Sequence, residues 1–557
     1  MEQAASSPGL SCFAVELLTM TFKQLHYKDL LECSKVCKRF WSVIKCSLDL
    51  QYILELGADG LVECSAVRIP LTADRLGALL DHRSRWHSLH WSKSGIPTSN
   101  PTPSGVLDFS SGVFAQIEFI NTDPASLHEG ILKIAYFQTG VEAMTESRSI
   151  TNGITTGPLS DQELARITQV RLQPLADLLA IVQSKVIRHS DAKAVFRIHL
   201  RSLSSEGSER DYPCPSPVLE YFPVWGHANT EPQIDEVTLD WHFISMRTAS
   251  DDGLGYTVWN YKTGKMVLDI PPTAHRQKFS NFSLINETSF IASSTEKAYN
   301  DTQLDIISIF SFDSSPVGNG AGTKTLVMRL ALPQRISRVN ADARIDIFTG
   351  RFSPRAERYR GDILFTTAEE SHVYLICVHT NRTLGIIVHR STLISLADKF
   401  KAKYSTKDPI PWEEWGPLNT RCFQIDSSHL WQHPARSVHG ERVILRVQSG
   451  DGRSVLQIMD FNNRRRRRDE IPTPKAILAT GHSIPKYEYV TAPSTLHWPE
   501  IYTAPISSSL PYHAVPVSNA EPDNGYLLDA QGLVRKRLSL NLVPGGGHTA
   551  TYTMLGV

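Results

Sequence analysis

The sequence predicts an α+β protein of several domains, in which a small N-terminal helical module precedes a large, chiefly antiparallel β region. Three observations lead to this prediction. Apolar residues recur at helical spacing near the N-terminus, a stretch rich in Ser, Pro and Gly follows at 92–105, and short β-branched and aromatic runs separated by turns fill the remainder. At 557 residues the chain exceeds one ordinary core and fits two or three domains or one large repeat domain.

The composition favours an intracellular protein that binds other proteins. The 57 Lys and Arg residues balance the 57 Asp and Glu residues, so the net charge predicts neither nucleic-acid nor membrane binding. Eight sparse cysteines without CxxC clusters argue against a disulfide scaffold or a zinc module, and no cofactor is predicted. No basic signal segment follows Met1, and no apolar run reaches about 18 residues. We therefore expect the cytoplasm, the nucleus or both.

The helical module is predicted from one apolar stripe with spacings of three and four residues. Asp29 and Glu32 have the spacing of a capping box, which would begin the second helix. The stripe consists of Val15, Leu18, Phe22, Leu25, Leu30, Cys33, Cys37, Phe40 and Ile44.

A second apolar face lies off that stripe. It is formed by Leu17, Leu31, Val36 and Trp41. Three short helices cannot enclose both faces in so small a core, so the surplus predicts a surface that binds a partner.

The order and spacing of these residues resemble the F-box family over about residues 12 to 47. The family's opening L-P-x-E-L-L, its mid-helix Phe, its Asp-Leu and its V-C-K-x-W run all have counterparts. Two positions depart from the pattern, because Ala14 replaces the usual Pro and Phe40 stands where the family generally has Trp. The matching segments are Phe13-Ala-Val-Glu16-Leu17-Leu18, Phe22, Leu25, Asp29-Leu30 and Val36-Cys37-Lys38-Arg39-Phe40.

The resemblance implies a three-helix module that binds a Skp-type adaptor and, through it, a cullin. The remaining stripe residues, Val15, Phe22, Leu25, Cys33 and Ile44, are expected in the module's core. The alternative is that all these residues merely close a small helical core, and for Leu18, Phe22 and Leu25 it is the favoured one. The residues implied in or beneath the adaptor contact are Phe13, Glu16, Leu17, Leu18, Leu30, Val36, Cys37 and Phe40.

A helical pattern between Thr72 and Trp91 predicts a connecting helix that docks the module. The sequence therefore divides into a disordered N-terminus at 1–11, an F-box at 12–50, a helical connector at 51–95 and a β repeat domain at 96–557.

The β domain is predicted from strands in series with turn signals at Lys262-Thr-Gly264 and Gly450-Asp-Gly452. Weak copies of one unit occur at 237–270, 282–312, 361–388 and 421–461, and Trp259 has the position of the third-strand Trp of a propeller blade. We therefore predict a β-propeller of six to eight blades, interrupted by helical material at 161–185, with two β-sandwiches as the alternative. The clearest strands are 113–120, 237–246, 256–261 and 266–270.

Two features of the β domain are candidates for binding. Trp412 and Trp415 lie in a segment bounded by prolines and suit a target-binding hot spot, although packing inside the domain is the favoured alternative. Five arginines at 464–468 suit a nuclear signal or a patch for an acidic target, against the favoured alternative of a solvated hairpin tip.

The predicted function is recruitment without catalysis. The chain is expected to be the substrate-recognition subunit of an SCF-type cullin ubiquitin ligase, with a target protein of unknown identity on its β domain. No P-loop, nucleophile elbow or HExxH motif occurs, and no catalytic or metal-binding residue is predicted. Two alternatives stay open: an F-box scaffold or regulator without a degradation target, and a propeller enzyme whose helices only resemble an F-box.

Overall fold

The computed structural model confirms a small helical N-terminal part and a large all-β part. Its described residues contain seven α-helices and 34 β-strands. The predicted disordered segment 1–11 and the predicted turn at 450–452 lie outside the described residues. The structure describes residues 13–64, 71–89, 92–95, 106–119, 130–136, 144–149, 163–187, 193–204, 212–223, 232–250, 253–272, 279–297, 302–313, 323–336, 343–353, 364–400, 403–426, 437–448, 454–464, 488–517, 525–530, 532–540 and 548–556.

Five helices and two short strands make up the N-terminal part. A Cys37 backbone in extended conformation separates the second helix from the third. The second helix begins after His26, whose ring accepts a hydrogen bond from the Lys28 N–H, and not at a capping box formed by Asp29. In chain order the elements are α1 (Val15–Phe22), α2 (Tyr27–Val36), α3 (Lys38–Cys46), α4 (Leu48–Ala58), β1 (Leu61–Glu63), α5 (Thr72–Ser88) and β2 (Ser92–Gly95).

The first four helices enclose one apolar core. The Phe22 and Phe40 rings meet edge to face at 5.1 Å between centroids. The prediction of a core position is confirmed for Phe22 and Ile44, while Leu25 and Cys33 are half-buried and pack against that core. The buried core residues are Leu18, Phe22, Tyr27, Leu30, Phe40, Val43, Ile44, Leu50 and Leu54.

The prediction of a core position for Val15 is wrong. Its side chain is 51% exposed. Val15 is the first residue of α1 and lies one turn before Leu18, so it falls beyond the end of the core that Leu18 and Phe22 enter.

The first four sheets of the β part are antiparallel and follow the chain. Sheet A contains β3 (Val106–Ser110), β4 (Val113–Phe119), β5 (Gly130–Tyr136) and β6 (Met144–Ser149). Sheet B contains β7 (Glu163–Gln173), β8 (Leu178–Ile187), β9 (Lys193–Ser202) and β10 (Val218–Tyr221). Sheet C contains β11 (Gln233–Asp240), β12 (Phe243–Ser250), β13 (Gly253–Asn260) and β14 (Lys265–Ile270). Sheet D contains β15 (Phe279–Asn286), β16 (Ser289–Lys297), β17 (Thr302–Phe312), β18 (Lys324–Ala331) and β19 (Arg335–Ile336).

The remaining strands form three further groups, and β1 pairs with β21 (Phe365–Thr367). The largest sheet has nine described strands, and we call its two halves sheets E and F because a single residue pair, Ile425 of β24 with Val447 of β26, joins them. Sheet E orders β20 (Arg344–Thr349), β22 (Val373–His379), β23 (Thr383–His389) and β24 (Thr420–Ile425). Sheet F orders β26 (Arg442–Gln448), β27 (Ser454–Asp460), β31 (Tyr512–Pro516) and β28 (Glu488–Val490), with β25 (Val438–His439) beside β26. Sheet G orders β32 (Gly525–Asp529), β33 (Gly532–Leu540), β34 (His548–Gly556) and β2. Outside these groups lie α6 (Arg390–Phe400), α7 (Trp412–Asn419), β29 (Ser494–Leu496) and β30 (Ile506–Ser508).

Three local predictions in the β region need correction. The segment 161–185 is not helical, because its described residues form the β7–β8 hairpin around Pro174–Ala176. The predicted strand 237–246 is a hairpin that turns at Trp241, whose φ is +50°. The boundary after residue 95 is too late, because β2 already pairs with β34 at the far end of the chain.

The unit at 237–270 is confirmed as a run of adjacent antiparallel strands. It coincides with sheet C except for the first residues of β11, and Trp259 lies on its third strand. The predicted turn at Lys262-Thr-Gly264 joins β13 to β14, with Gly264 at a φ of +69°. The Asn260 side chain accepts hydrogen bonds from the backbone N–H groups of Lys262 and Thr263 and so fixes the turn.

Buried apolar clusters join successive sheets. One cluster links sheets A and B, a second links B and C, and a third spans C, D and E with α6 and α7. Further clusters link E with F and F with G. A last cluster packs Phe109 and Phe114 of sheet A against Leu527 and Val534 of sheet G. Sheets from the two ends of the β region therefore share a core.

None of the helices in the described ranges has the length and apolar character required to cross a bilayer. The seven described cysteines are free thiols.

A buried histidine in sheet B makes stability depend on pH. Burial lowers the pKa of His199 to about 4, and Arg201 and Arg197 act in the same direction. In an unfolded chain the same ring takes up a proton near pH 6.5, so stability is lost as the pH falls from about 6.5 towards about 4.

We expect the His199→Gln variant to lose less stability than the parent between about pH 7 and about pH 5, by roughly 2 kcal/mol. Scanning calorimetry at both pH values measures this difference. Since His497 is exposed, His497→Gln serves as the control and should lose as much stability as the parent. An unchanged pH dependence in His199→Gln would contradict the assignment.

Candidate functional site

The N-terminal module exposes a group of large apolar side chains, which we call the module face. The α1 helix buries only Leu18 and Phe22, so its other apolar residues point away from the module's core. Large apolar side chains that are exposed in such number on one small module commonly mark interaction surfaces in soluble proteins. The module face comprises Phe13 (40% exposed), Val15 (51%), Leu17 (52%), Met20 (64%), Val36 (69%) and Trp41 (50%).

The α2–α3 junction determines how Val36 and Trp41 are presented. Val36 ends α2 because Cys37 turns to an extended backbone, and the Cys37 Sγ accepts a hydrogen bond from the Phe40 N–H at 3.5 Å. Trp41 follows in the first turn of α3, and the Lys45 Nζ lies 4.6 Å from the centroid of its ring. The sharp junction therefore leaves both apolar side chains at the surface.

The predicted adaptor-binding residues separate into two groups. Phe13, Glu16, Leu17 and Val36 are exposed and available to a partner, and Cys37 is half-buried as the cap of α3. The other three are buried in the module's own core, which agrees with a place beneath the contact and not within it, and they support the face from below. These three are Leu18 (0% exposed), Leu30 (0%) and Phe40 (7%).

The sequence analysis did not assign Met20 to a binding surface. The signal was present, since Met20 lies three residues from Leu17 and falls outside the buried pair Leu18 and Phe22. Trp41 was recognised only as part of the surplus apolar face.

Exposed basic residues accompany the module face on α2 and α3. Lys35 pairs with Glu32 at 2.5 Å, and Arg39 donates a hydrogen bond to the Phe13 carbonyl at 2.6 Å, which fixes the chain before α1 to α3. Lys38 and Lys45 are also exposed. This charge distribution suits a partner surface that is acidic around an apolar centre.

Backbone pairing joins the module to the β region. Strand β1 pairs with β21, the Cys64 N–H donates to the Leu364 carbonyl, and the Ala368 N–H donates to the Gly60 carbonyl. Gly60 turns the chain from α4 into β1 at a φ of +67°. A Cβ atom there would lie 2.2 Å from Arg464 Nη2, so the turn requires glycine for both space and backbone conformation.

A charged network stiffens the connection between α4 and α5. The Arg83 Nε lies 3.0 and 3.1 Å from the two Asp59 carboxylate oxygens, and Arg83 Nη2 lies 2.7 Å from Glu55. Asp59 is only 5% exposed, and the bidentate arrangement compensates the burial of its charge.

The end of α5 is anchored between sheets F and G. Trp86 is buried there against residues such as Ile458 and Tyr526, and its indole N–H donates to His82 at 3.2 Å. The Arg442 guanidinium lies 4.4 Å from the Trp86 ring. Together with β1 and α4, this anchor fixes the module relative to the β region, and it confirms the connecting helix predicted at 72–91.

Trp412 and Trp415 are buried, which confirms the favoured alternative of packing inside the domain and contradicts the target-binding hypothesis. They lie in α7 and not in a loop, and they are 6% and 0% exposed. Their rings pack edge to face at 5.2 Å, and the Trp415 indole N–H donates to the Ala331 carbonyl at 2.8 Å. The aromatic pair therefore belongs to the core shared by sheets C, D and E.

The first arginine of the basic run has a structural role. Arg464 pairs with Glu441 beside the end of β27, and its backbone N–H donates to the Asn462 side chain at 3.0 Å. The other four arginines lie outside the described residues, so the nuclear-signal hypothesis stays a prediction.

Buried charges inside the β region are compensated by ion pairs, both within one sheet and between distant parts of the chain. Arg335 and Asp305 are both fully buried and pair at 2.5 Å within sheet D. Arg351 reaches from the end of β20 to Asp108 of sheet A at 2.9 Å. Within the described ranges, no three His, Cys, Asp or Glu residues are grouped as metal ligands.

Comparisons with known proteins add little to this description. No protein-family model and no curated protein matches the chain. Among solved structures, the chain is similar to 1,3Gal43A, an exo-beta-1,3-galactanase from Clostridium thermocellum, at 8% identity and a TM-score of 0.27. The similarity covers 83% of this chain and 85% of that chain. A TM-score this low supports no conclusion on fold or activity.

The turn at Gly60 provides a test of the rigid junction. We expect Gly60→Ala to lower the free energy of unfolding by more than about 1 kcal/mol, since alanine strains the left-handed backbone and also meets Arg464 and Ser371. Amide exchange should accelerate in α4 and β21, as measured by mass spectrometry.

Gly77→Ala in α5 is the matched control, because a Cβ atom there meets nothing within 4 Å. It should stabilise the helix by up to about 1 kcal/mol and leave exchange at the junction unchanged. Equal behaviour of the two variants would argue against a junction that depends on Gly60.

Proposed function

We propose that the N-terminal module is an F-box that docks on a Skp-type adaptor, and that the chain recruits a target protein to a cullin ubiquitin ligase. The observation that carries this proposal is the module face, defined above by six exposed apolar side chains. Its residues Phe13, Leu17 and Val36 are among those that the F-box pattern assigns to the adaptor contact. The physical demand for a partner and the sequence resemblance therefore converge on the same residues.

The energetics favour a protein partner on this face. Burying one large aliphatic or aromatic side chain fully contributes about 1.5 to 3 kcal/mol, so even partial cover of six such side chains is substantial. An adaptor groove with an apolar centre and an acidic border would match both the face and its neighbouring lysines.

For the β region we propose a seven-bladed β-propeller, with sheets A to G as the blades. Three features support this arrangement: the four successive antiparallel strands of each of sheets A, B and C, the clusters shared between each sheet and the next, and the cluster that joins sheet A to sheet G. The pairing of β2 with β34 would close the ring by adding an early strand to the last blade.

In the proposed mechanism the protein positions the target for ubiquitin transfer and contributes no acid, base or nucleophile to the reaction. The module would hold the chain on the ligase, and the β region would hold the target near the ubiquitin-charged enzyme, which raises the effective concentration of a target lysine. The stiff junction through Gly60, Arg83 and Trp86 suits this role. A flexible junction would let the target move away and would lower the effective concentration of its lysine.

The adaptor contact is tested with the Leu17→Asp/Val36→Asp double variant. Both side chains are more than half exposed, so the variant should fold, yet two buried carboxylates in the complex would abolish the contact. We expect the parent to co-purify with the Skp-type adaptor and cullin, and the variant to lose at least about 90% of the captured adaptor.

The matched control is Phe222→Asp/Leu418→Asp, which changes two apolar residues of the β region that are more exposed than Leu17 and Val36 respectively, at 60% and 82% exposure. This control should capture the adaptor like the parent. Absence of capture by the parent would overturn the ligase proposal. Capture without ubiquitination of any bound protein would instead favour the scaffold or regulator.

A further inference from the structure

A large cleft lies where the module's first strand meets the turns of sheets C and D. Its volume is about 980 Å³, at the upper end of the range for ligand-binding clefts. Strand β1 and the residues around β21 form one side, and the β11–β12, β13–β14 and β15–β16 turns contribute the other. Trp241 and Phe352 lie in its lining, stacked at 4.1 Å between ring centroids and almost fully buried, so they give the cleft a fixed aromatic base.

The charges along the cleft are mainly negative. Among the described residues that line it are four carboxylates, those of Glu63, Glu287, Glu369 and Glu370, and one lysine, Lys262. Two of these carboxylates are compensated within the protein. Glu63 pairs with Arg75 at 2.8 Å, and Glu369 pairs with Arg390 at 2.6 Å.

Glu287 and Glu370 have a different environment. Within the described residues their ion pairs involve histidines, namely His242 at 3.5 Å and His26 at 3.7 Å. Burial lowers the pKa of His242, so this ring is neutral at physiological pH and leaves the Glu287 charge without compensation from it. Both carboxylates are accessible, at 53% and 41% side-chain exposure.

The cleft also presents strand edges. Val62 and Glu63 of β1 and Thr366 and Thr367 of β21 all belong to its lining. In the described part of the chain, β1 and β21 pair only with each other, so each has one edge without a strand partner. Such an edge offers backbone N–H and C=O groups to an extended peptide, which adds as a further strand.

From these two independent features we propose that the cleft binds an extended segment of a protein partner that carries Lys or Arg side chains. The backbone of the segment would lie along the β1–β21 ribbon, and its cationic side chains would reach Glu287 and Glu370. This proposal rests on the proposed function in one respect, because it identifies the bound segment as part of the recruited target. The position of β1, directly after α4, would hold such a segment close to the ligase.

The test uses the full chain bound to the Skp-type adaptor and two fluorescein-labelled peptides of equal length. The basic probe is (Gly-Lys-Gly-Arg)₂ and the acidic probe is (Gly-Glu-Gly-Asp)₂, and binding is followed by fluorescence anisotropy. We expect saturable binding of the basic probe alone, weakened as the salt concentration rises from about 0.05 M to about 0.5 M.

The Glu287→Lys/Glu370→Lys variant should bind the basic probe at least about tenfold more weakly, because two attractive charges become repulsive. The control is Glu220→Lys/Glu500→Lys, which reverses two glutamates of matched exposure, 41% and 50%, that do not line the cleft. It should bind the probe like the parent. Adaptor capture should be the same for the parent and both variants.

Each outcome is informative. No binding of the basic probe by the parent complex overturns the cleft proposal while leaving adaptor docking intact, since capture is measured on the same sample. Equal losses in the two variants would show attraction by net charge alone and would also overturn it. If the parent does not capture the adaptor at all, that result would instead contradict the proposed function.

Discussion

The N-terminal module carries more large apolar side chains than its small core can enclose. Its core is complete with Leu18, Phe22, Leu30 and Phe40 inside, and the six side chains of the module face, together with Leu48 of α4, are left in water. Water exposure of so many large side chains is unfavourable, so the folded module is stabilised further by any surface that covers them. The proposed adaptor contact, and with it the proposed place of the chain in a ligase, depends on this imbalance.

The firm connection between the module and the β region would also fix the β region relative to any partner that binds the module face. A strand pairing, a glycine turn, the Arg83 network and the buried Trp86 each fix a different part of the junction. Backbone pairing sets the register of β1 on β21, while Trp86 places α5 between two sheets. Because these constraints act together, a target held by the β region would keep one orientation relative to whatever binds the module face.

The same junction creates the acidic cleft. Strand β1 belongs in sequence to the helical part, yet it pairs with β21 and faces turns that are nearly two hundred residues away in the chain. Glu63 therefore lines the same cleft as Glu287 and Glu370 only because the module is docked on the β region. In this arrangement the element that orients the module is also one wall of a proposed binding site.

The sequence by itself determined the helical and β halves of the protein, the single buried stripe with its surplus second face, the connecting helix, and the third-strand position of Trp259. These depend on periodicity and on turn residues, which act over a few residues. The features that depend on long-range packing were decided by the tertiary structure. It made the 161–185 segment a hairpin, chose between packing and target binding for Trp412 and Trp415 by burying them among three sheets, and left Val15 exposed at the start of α1. Burial at these positions depends on elements far away in the chain, so local sequence patterns cannot determine it.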